Sequence, residues 1–108
     1  MTNRLFKVQD LLHKEIALLL IKDIQNPIIK SVTISEVKVS KDLRYSEIYF
    51  TSLSKDNEKI GIELNKASGF IRKQLSKSIH LKRLPSIRFT YDDTAERSER
   101  IENILKSD

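Results

Sequence analysis

Gly61 and Gly69, the two glycines of this chain, both lie inside a stretch whose apolar residues recur at helical intervals: Ile60, Leu64, Ala67, Ile71, Leu75 and Ile79. Glycine within a helix costs about 1 kcal/mol relative to alanine, because it gives up more chain freedom on folding. Gly61 is near the start of the stretch and is cheap there; Gly69 is central and needs a reason. The step Ala67-Ser68-Gly69 predicts a kink or break that divides the helical region, residues 56–79, into two segments. The same stretch opens a window with one sign of charge. Between Glu63 and Asp92 there is no acidic side chain, while Lys66, Arg72, Lys73, Lys77, Lys82, Arg83 and Arg88 all fall inside. A kinked helix carrying such a face is shaped to lie against polyphosphate, so RNA or DNA is the first partner to consider.

The remaining elements follow from periodicity. Residues 3–24 read as a long helix with Leu5, Val8, Leu12, Ile16 and Leu19 on one stripe, Asn3 as a cap and Asn26-Pro27 as the stop. Residues 32–39 alternate but slip phase between Ile34 and Val37, as a β-bulge or bend would produce. After the polar turn Ser40-Lys41-Asp42-Leu43, residues 44–53 alternate again, with Ser46, Ile48 and Phe50 on one side, which predicts an antiparallel hairpin. Pro85 precedes a third strand with Ile87 and Phe89 inward and Arg88 and Thr90 outward. Asp93 and Glu96 suggest a capping box for a last helix bearing Ile101, Ile104 and Leu105, with Glu96 and Arg100 able to pair on its exposed side. The expected order is helix, strand, strand, helix broken in two, strand, helix. With 108 residues, this is one α+β domain spanning 1–108, its helices covering one face of a three-stranded sheet.

Charge and absences narrow the function. The net charge of +5 is concentrated: residues 55–84 hold eight Lys/Arg against three acids, whereas residues 85–108 hold four against six. On a helical wheel Lys73 and Lys77 fall about 200° and 240° from Ile71, away from the core stripe, and Phe70 lies near the same side as a candidate stacking aromatic or a plug for the kink. Cysteine is absent, and the longest apolar run, Ile16 to Ile21, is too short to span a bilayer, so a cytosolic protein is expected. Two glycines eight residues apart build neither a Gly-x-x-Gly clamp nor a nucleotide-phosphate loop. His13 and His80 stand alone and read as surface imidazoles, and Asp92-Asp93 with Glu96 read as helix-start residues. The chain reads as a monomeric binding protein without catalytic residues, cofactor or metal.

The residues Lys14-Glu15-Ile16-Ala17-Leu18, Val37-Lys38-Val39-Ser40-Lys41-Asp42-Leu43 with Tyr45, Ile48-Tyr49-Phe50, and above all Ala67-Ser68-Gly69-Phe70-Ile71-Arg72 carry a resemblance, continued by Leu81-Lys82, Pro85, Phe89 and Asp92. In this order they resemble the bacterial ribosome-binding factor A family over nearly the whole chain. The resemblance implies a KH-like domain of the type II topology in which an Ala-x-Gly kink stands where other KH domains carry a glycine loop. It also implies an assembly factor that binds the immature 30S small ribosomal subunit and serves late 16S rRNA maturation. Carried over residue by residue, Ala67 and Gly69 form the kink, and Arg72, Lys73, Lys77 and Lys82 the RNA-facing edge. Two positions depart from the family pattern: Asn26-Pro27-Ile28 stands where Asp-Pro-Arg is frequent, and Ser86-Ile87 where Glu-Leu is common. A generic single-stranded nucleic-acid binder, or an adaptor presenting its first helix or the sheet face around Tyr49, are the alternative readings.

Overall fold

A computed structural model describes residues 2–22 and 24–106, with the side chains of Thr2 and Asn3 outside that description. The Asn3 cap therefore lies outside the described residues. The elements are α1 (Thr2–Lys22), a 3-10 turn (Ile29–Ser31), β1 (Val32–Val39), β2 (Tyr45–Ser52), α2 (Asn57–Lys66), α3 (Ser68–Ser78), β3 (Ser86–Tyr91) and α4 (Thr94–Lys106). Strand β2 is central: β1 pairs with it antiparallel and β3 parallel. The parallel pair requires a crossover, which α2 and α3 supply.

Alternation and register agree. Ser46, Ile48 and Phe50 of β2 turn inward, and on β1 the register slips between Ile34 and Glu36, where the phase of the sequence slips. The bulge has a use: the Ser35 hydroxyl donates to Asp92 Oδ2 at 2.6 Å, tying β1 to the exit of β3. That bond, with further ones from Thr94, holds the Asp92 carboxyl below the usual carboxylate range. One core lies between the sheet and α1, α2 and α3, centred on Leu12, Ile16, Ile48, Phe50, Leu64 and Leu75. Phe50 also meets the Tyr91 ring edge-on at 5.8 Å.

Helix side chains close both edges of the sheet. On the β1 edge, Gln9 Oε1 accepts from the Val39 N–H at 3.0 Å and His13 Nε2 lies 3.1 Å from the Ile34 carbonyl. His13 is thus half-buried against a strand edge, not an isolated surface imidazole. On the β3 edge, the Asn65 amide both accepts from Phe89 N–H at 2.8 Å and donates to Phe89 C=O at 3.0 Å, as a further strand would.

Three local expectations change. Helix α1 ends at Lys22 and Ile24 turns into the core, while the Asn26 side chain accepts from Ile28 N–H at 3.0 Å to start the 3-10 turn. At the start of α4 it is Asp92 that accepts from Thr94 N–H; Asp93 pairs with Arg97 at 2.9 Å and Glu96 accepts from the Tyr91 hydroxyl, so Asp93 and Glu96 form no capping box, and Glu96 and Arg100 form no ion pair among the described residues. Helix α4 buries none of its residues, with Ile101 and Leu105 58% and 73% exposed. The β1–β2 turn has one backbone outlier, Leu43 at φ 62°, whose side chain packs against the core and holds it there.

Candidate nucleic-acid interface

Helices α2 and α3 meet at Ala67, whose φ of −85° and ψ of −3° lie at the edge of helical space. Its N–H is shared between the Glu63 and Leu64 carbonyls at 3.1 Å each, and its own carbonyl accepts from Ile71 N–H at 2.9 Å. The turn thus tightens for one residue, and a second helix starts at Ser68. The Ser68 hydroxyl donates to Asn65 C=O at 2.8 Å and bridges the junction. Gly69 itself does not carry the break: no glycine has positive φ, and a Cβ at Gly69 would meet nothing within 4 Å. Neither backbone strain nor packing within the chain calls for glycine there. Gly69→Ala is expected to raise the unfolding midpoint by a few degrees, since about 0.5–1 kcal/mol of chain entropy is recovered. A fall in the midpoint in thermal unfolding would show that Gly69 holds a strained conformation after all.

The seven basic residues divide among several surroundings. Lys73 and Lys77 stand exposed one turn apart on α3, and neither forms an ion pair among the described residues. Gly69, Arg72, Lys73, Ser76 and Leu84 line one shallow cleft of about 400 Å³. Lys82 and Arg83 follow on the α3–β3 loop and line a neighbouring groove with Arg4, Leu43 and Pro85. Lys66 lies on the flank facing Asn26 and is paired with Glu63 at 3.6 Å. Arg88 points outward from β3, beside Glu47 in register on β2, so the sheet separates it from α3. That open sheet face mixes signs: Lys38 sits 5.5 Å over the Tyr49 ring, and Glu47 accepts from Thr90.

Arg72 is engaged internally. Its Nη2 donates to Leu84 C=O at 2.7 Å and its Nε to Pro85 C=O at 3.3 Å. Phe70 is 46% exposed and borders the groove with Lys66 and Ile24, so it leaves the core to Ile71 and Leu75. Arg4 is the residue the charge window misses. Its place four residues before core Val8 puts both on one flank of α1, but no spacing announces that this flank meets Lys82 and Arg83. Asp42 shares the groove, its carboxyl held below the usual range by the Ser40 hydroxyl and the Arg44 N–H. Among the described residues no three His, Cys, Asp or Glu converge as a metal site would require, and no helix is long and apolar enough to cross a membrane.

The ribosome-binding factor A family profile matches residues 4–105. The chain belongs to that family. The ribosome-binding factor A of Geotalea daltonii is 44% identical over 108 residues, covering 98% of this chain and 88% of the relative. The crystal structure of ribosome-binding factor A from Thermus thermophilus superposes with a TM-score of 0.73 over 81% of this chain and 94% of that one, at 21% identity. A Thermus thermophilus ribosome-binding factor A homology model, fitted into the cryo-EM map of a 30S complex with that factor, superposes with a TM-score of 0.67 over 78% and 90%, at 20% identity. These likenesses show the ribosome-binding factor A fold in this chain. Its helix-strand-strand-helix-helix-strand core is the α+β arrangement expected of a KH-like domain of type II topology.

Proposed function

We propose that this chain is one KH-like domain, residues 1–108, acting as a monomeric, non-enzymatic assembly factor in the cytoplasm. It binds the immature 30S small ribosomal subunit and assists late maturation of its 16S rRNA. Membership of the ribosome-binding factor A family supports the role, and a relative fitted into a 30S complex supports the partner. The observation that carries the RNA face is the placement of Lys73, Lys77, Lys82 and Arg83 on α3 and the loop after it, exposed and without an acidic partner among the described residues. Lys66, Arg72 and Arg88 flank that edge, support it or lie behind it. Gly69, open to 4 Å, leaves room for a phosphate backbone to approach the first turn of α3, where Ala67 supplies no side-chain cap.

Sedimentation of small-subunit precursors with and without the protein tests this reading. Co-migration with the particles is expected, and the slope of log K against log salt should be roughly −3 to −4 if four cations displace counterions. Tighter binding to free oligonucleotides than to particles would replace it with a generic single-stranded binder. Absence of any RNA affinity at low salt would favour a protein-interaction adaptor.

A further inference from the structure

The loop that carries Lys82 and Arg83 is short of polar ties. Helical hydrogen bonding before it ends with Ile79 N–H on Leu75 C=O at 2.8 Å. After it, Ser86 is fixed twice: its N–H donates to Arg44 C=O at 2.9 Å, and its carbonyl accepts from the buried Ser46 hydroxyl at 2.7 Å. Between these points, among the described residues, the hydrogen bonds to residues 80–85 are the two from Arg72, to the carbonyls of Leu84 and Pro85. Pro85 is fully buried and Leu81 and Leu84 pack partly on the core, so apolar contact holds the loop down. Apolar contact alone does not set the direction of its carbonyls, and with them of the two side chains that precede Leu84. A planar guanidinium bonded to two consecutive carbonyls does.

We infer that Arg72 is a positioning residue for RNA binding: it locks the Lys82-Arg83-Leu84-Pro85 loop onto α3, so that Lys82 and Arg83 line up with Lys73 and Lys77. This rests on the RNA face proposed above and changes the part played by one of its members. Arg72 acts through the loop: its Nε and one Nη2 donor are taken by carbonyls of its own chain, which fixes the guanidinium against Leu84 and Pro85. The ammonium of lysine, a point charge on a flexible stem, does not reproduce a fork across two carbonyls. The guanidinium geometry, and not its charge, is therefore the property required at this position.

The test compares Arg72→Lys, Arg72→Met, Lys82→Ala/Arg83→Ala and their combinations in the complete chain, reading affinity for small-subunit particles over a range of salt. Arg72→Lys is expected to weaken binding nearly as much as Arg72→Met, about tenfold. The salt slope of either should fall by about 1.4–1.8, the share of two phosphate contacts, where a single direct contact would remove about 0.7–0.9. In the Lys82→Ala/Arg83→Ala background, Arg72→Met should have no further effect. Amide exchange at residues 80–84 should quicken in Arg72→Lys while the core amides of β2 stay as they were. Binding by Arg72→Lys within twofold of the parent would overturn the inference, as would an undiminished effect of Arg72→Met without the loop cations. Full binding by Lys82→Ala/Arg83→Ala would overturn it too, yet leave the α3 face standing; that face falls only if reversing Lys73 and Lys77 has no effect.

Discussion

Replacing Lys73 and Lys77 together by Glu should release the protein from small-subunit particles while leaving it folded. At contact distance in water each lysine–phosphate attraction is about 1 kcal/mol, and reversal exchanges it for a similar repulsion. The pair therefore moves binding by about 4 kcal/mol, close to 1,000-fold, before salt screening reduces it. Folding has little at stake: both side chains are exposed, and neither is paired with an acid among the described residues. The one structural penalty is at Lys77, which stands in the last turn of α3, where a negative charge opposes the helix dipole. That penalty is up to about 1 kcal/mol, so a shift of a few degrees in thermal unfolding accompanies the loss of binding. Co-sedimentation at low salt matching that of the parent protein would remove α3 from the RNA face.

Phe50→Ala should have the largest effect on the fold. Phe50 is fully buried on the central strand, faces α2 at Gly61, where a Cβ would stand 3.6 Å from its Cζ, and meets Tyr91 edge-on. Removing such a ring leaves a cavity that its neighbours fill only in part, at about 3–5 kcal/mol. Against a total of about 5–15 kcal/mol for a domain, much of the stability goes. Urea unfolding should show the midpoint falling with little change in slope. A loss below about 1 kcal/mol would mean that the core closes over the site, against the close packing that protein interiors show.

Much of the fold is legible in the sequence because each element is marked by its own period. The slip between Ile34 and Val37 announces the bulge, and the inward set Ser46, Ile48 and Phe50 is read directly from alternation. The broken helix is legible too, although the glycine that draws attention to it is not the residue that bends. Of the predicted step Ala67-Ser68-Gly69, it is Ala67 that stands between the two helices, with ψ near zero and its N–H divided between two carbonyls. The last helix shows the opposite limit. Its apolar residues at 101 and 105 have the spacing of a packed face, yet Ile101 and Leu105 stay exposed, since period states only which side is apolar and never what lies against it.

The candidate site divides along the same line. Sequence alone determines that a long run of the chain carries cations without acids, that Lys73 and Lys77 leave the core side of their helix, and that phosphate-binding glycine loops are missing. These are local properties, carried by residue type and spacing. Tertiary structure alone decides that Arg4 joins Lys82 and Arg83, and that Arg72 donates to the carbonyls of Leu84 and Pro85. Each of these depends on which segments the parallel β2–β3 pairing and its helical crossover bring side by side. A charge in a sequence has a sign but no neighbour across space until the chain has closed, and whether a cation is free for a phosphate or bonded to its own backbone is a matter of that neighbour.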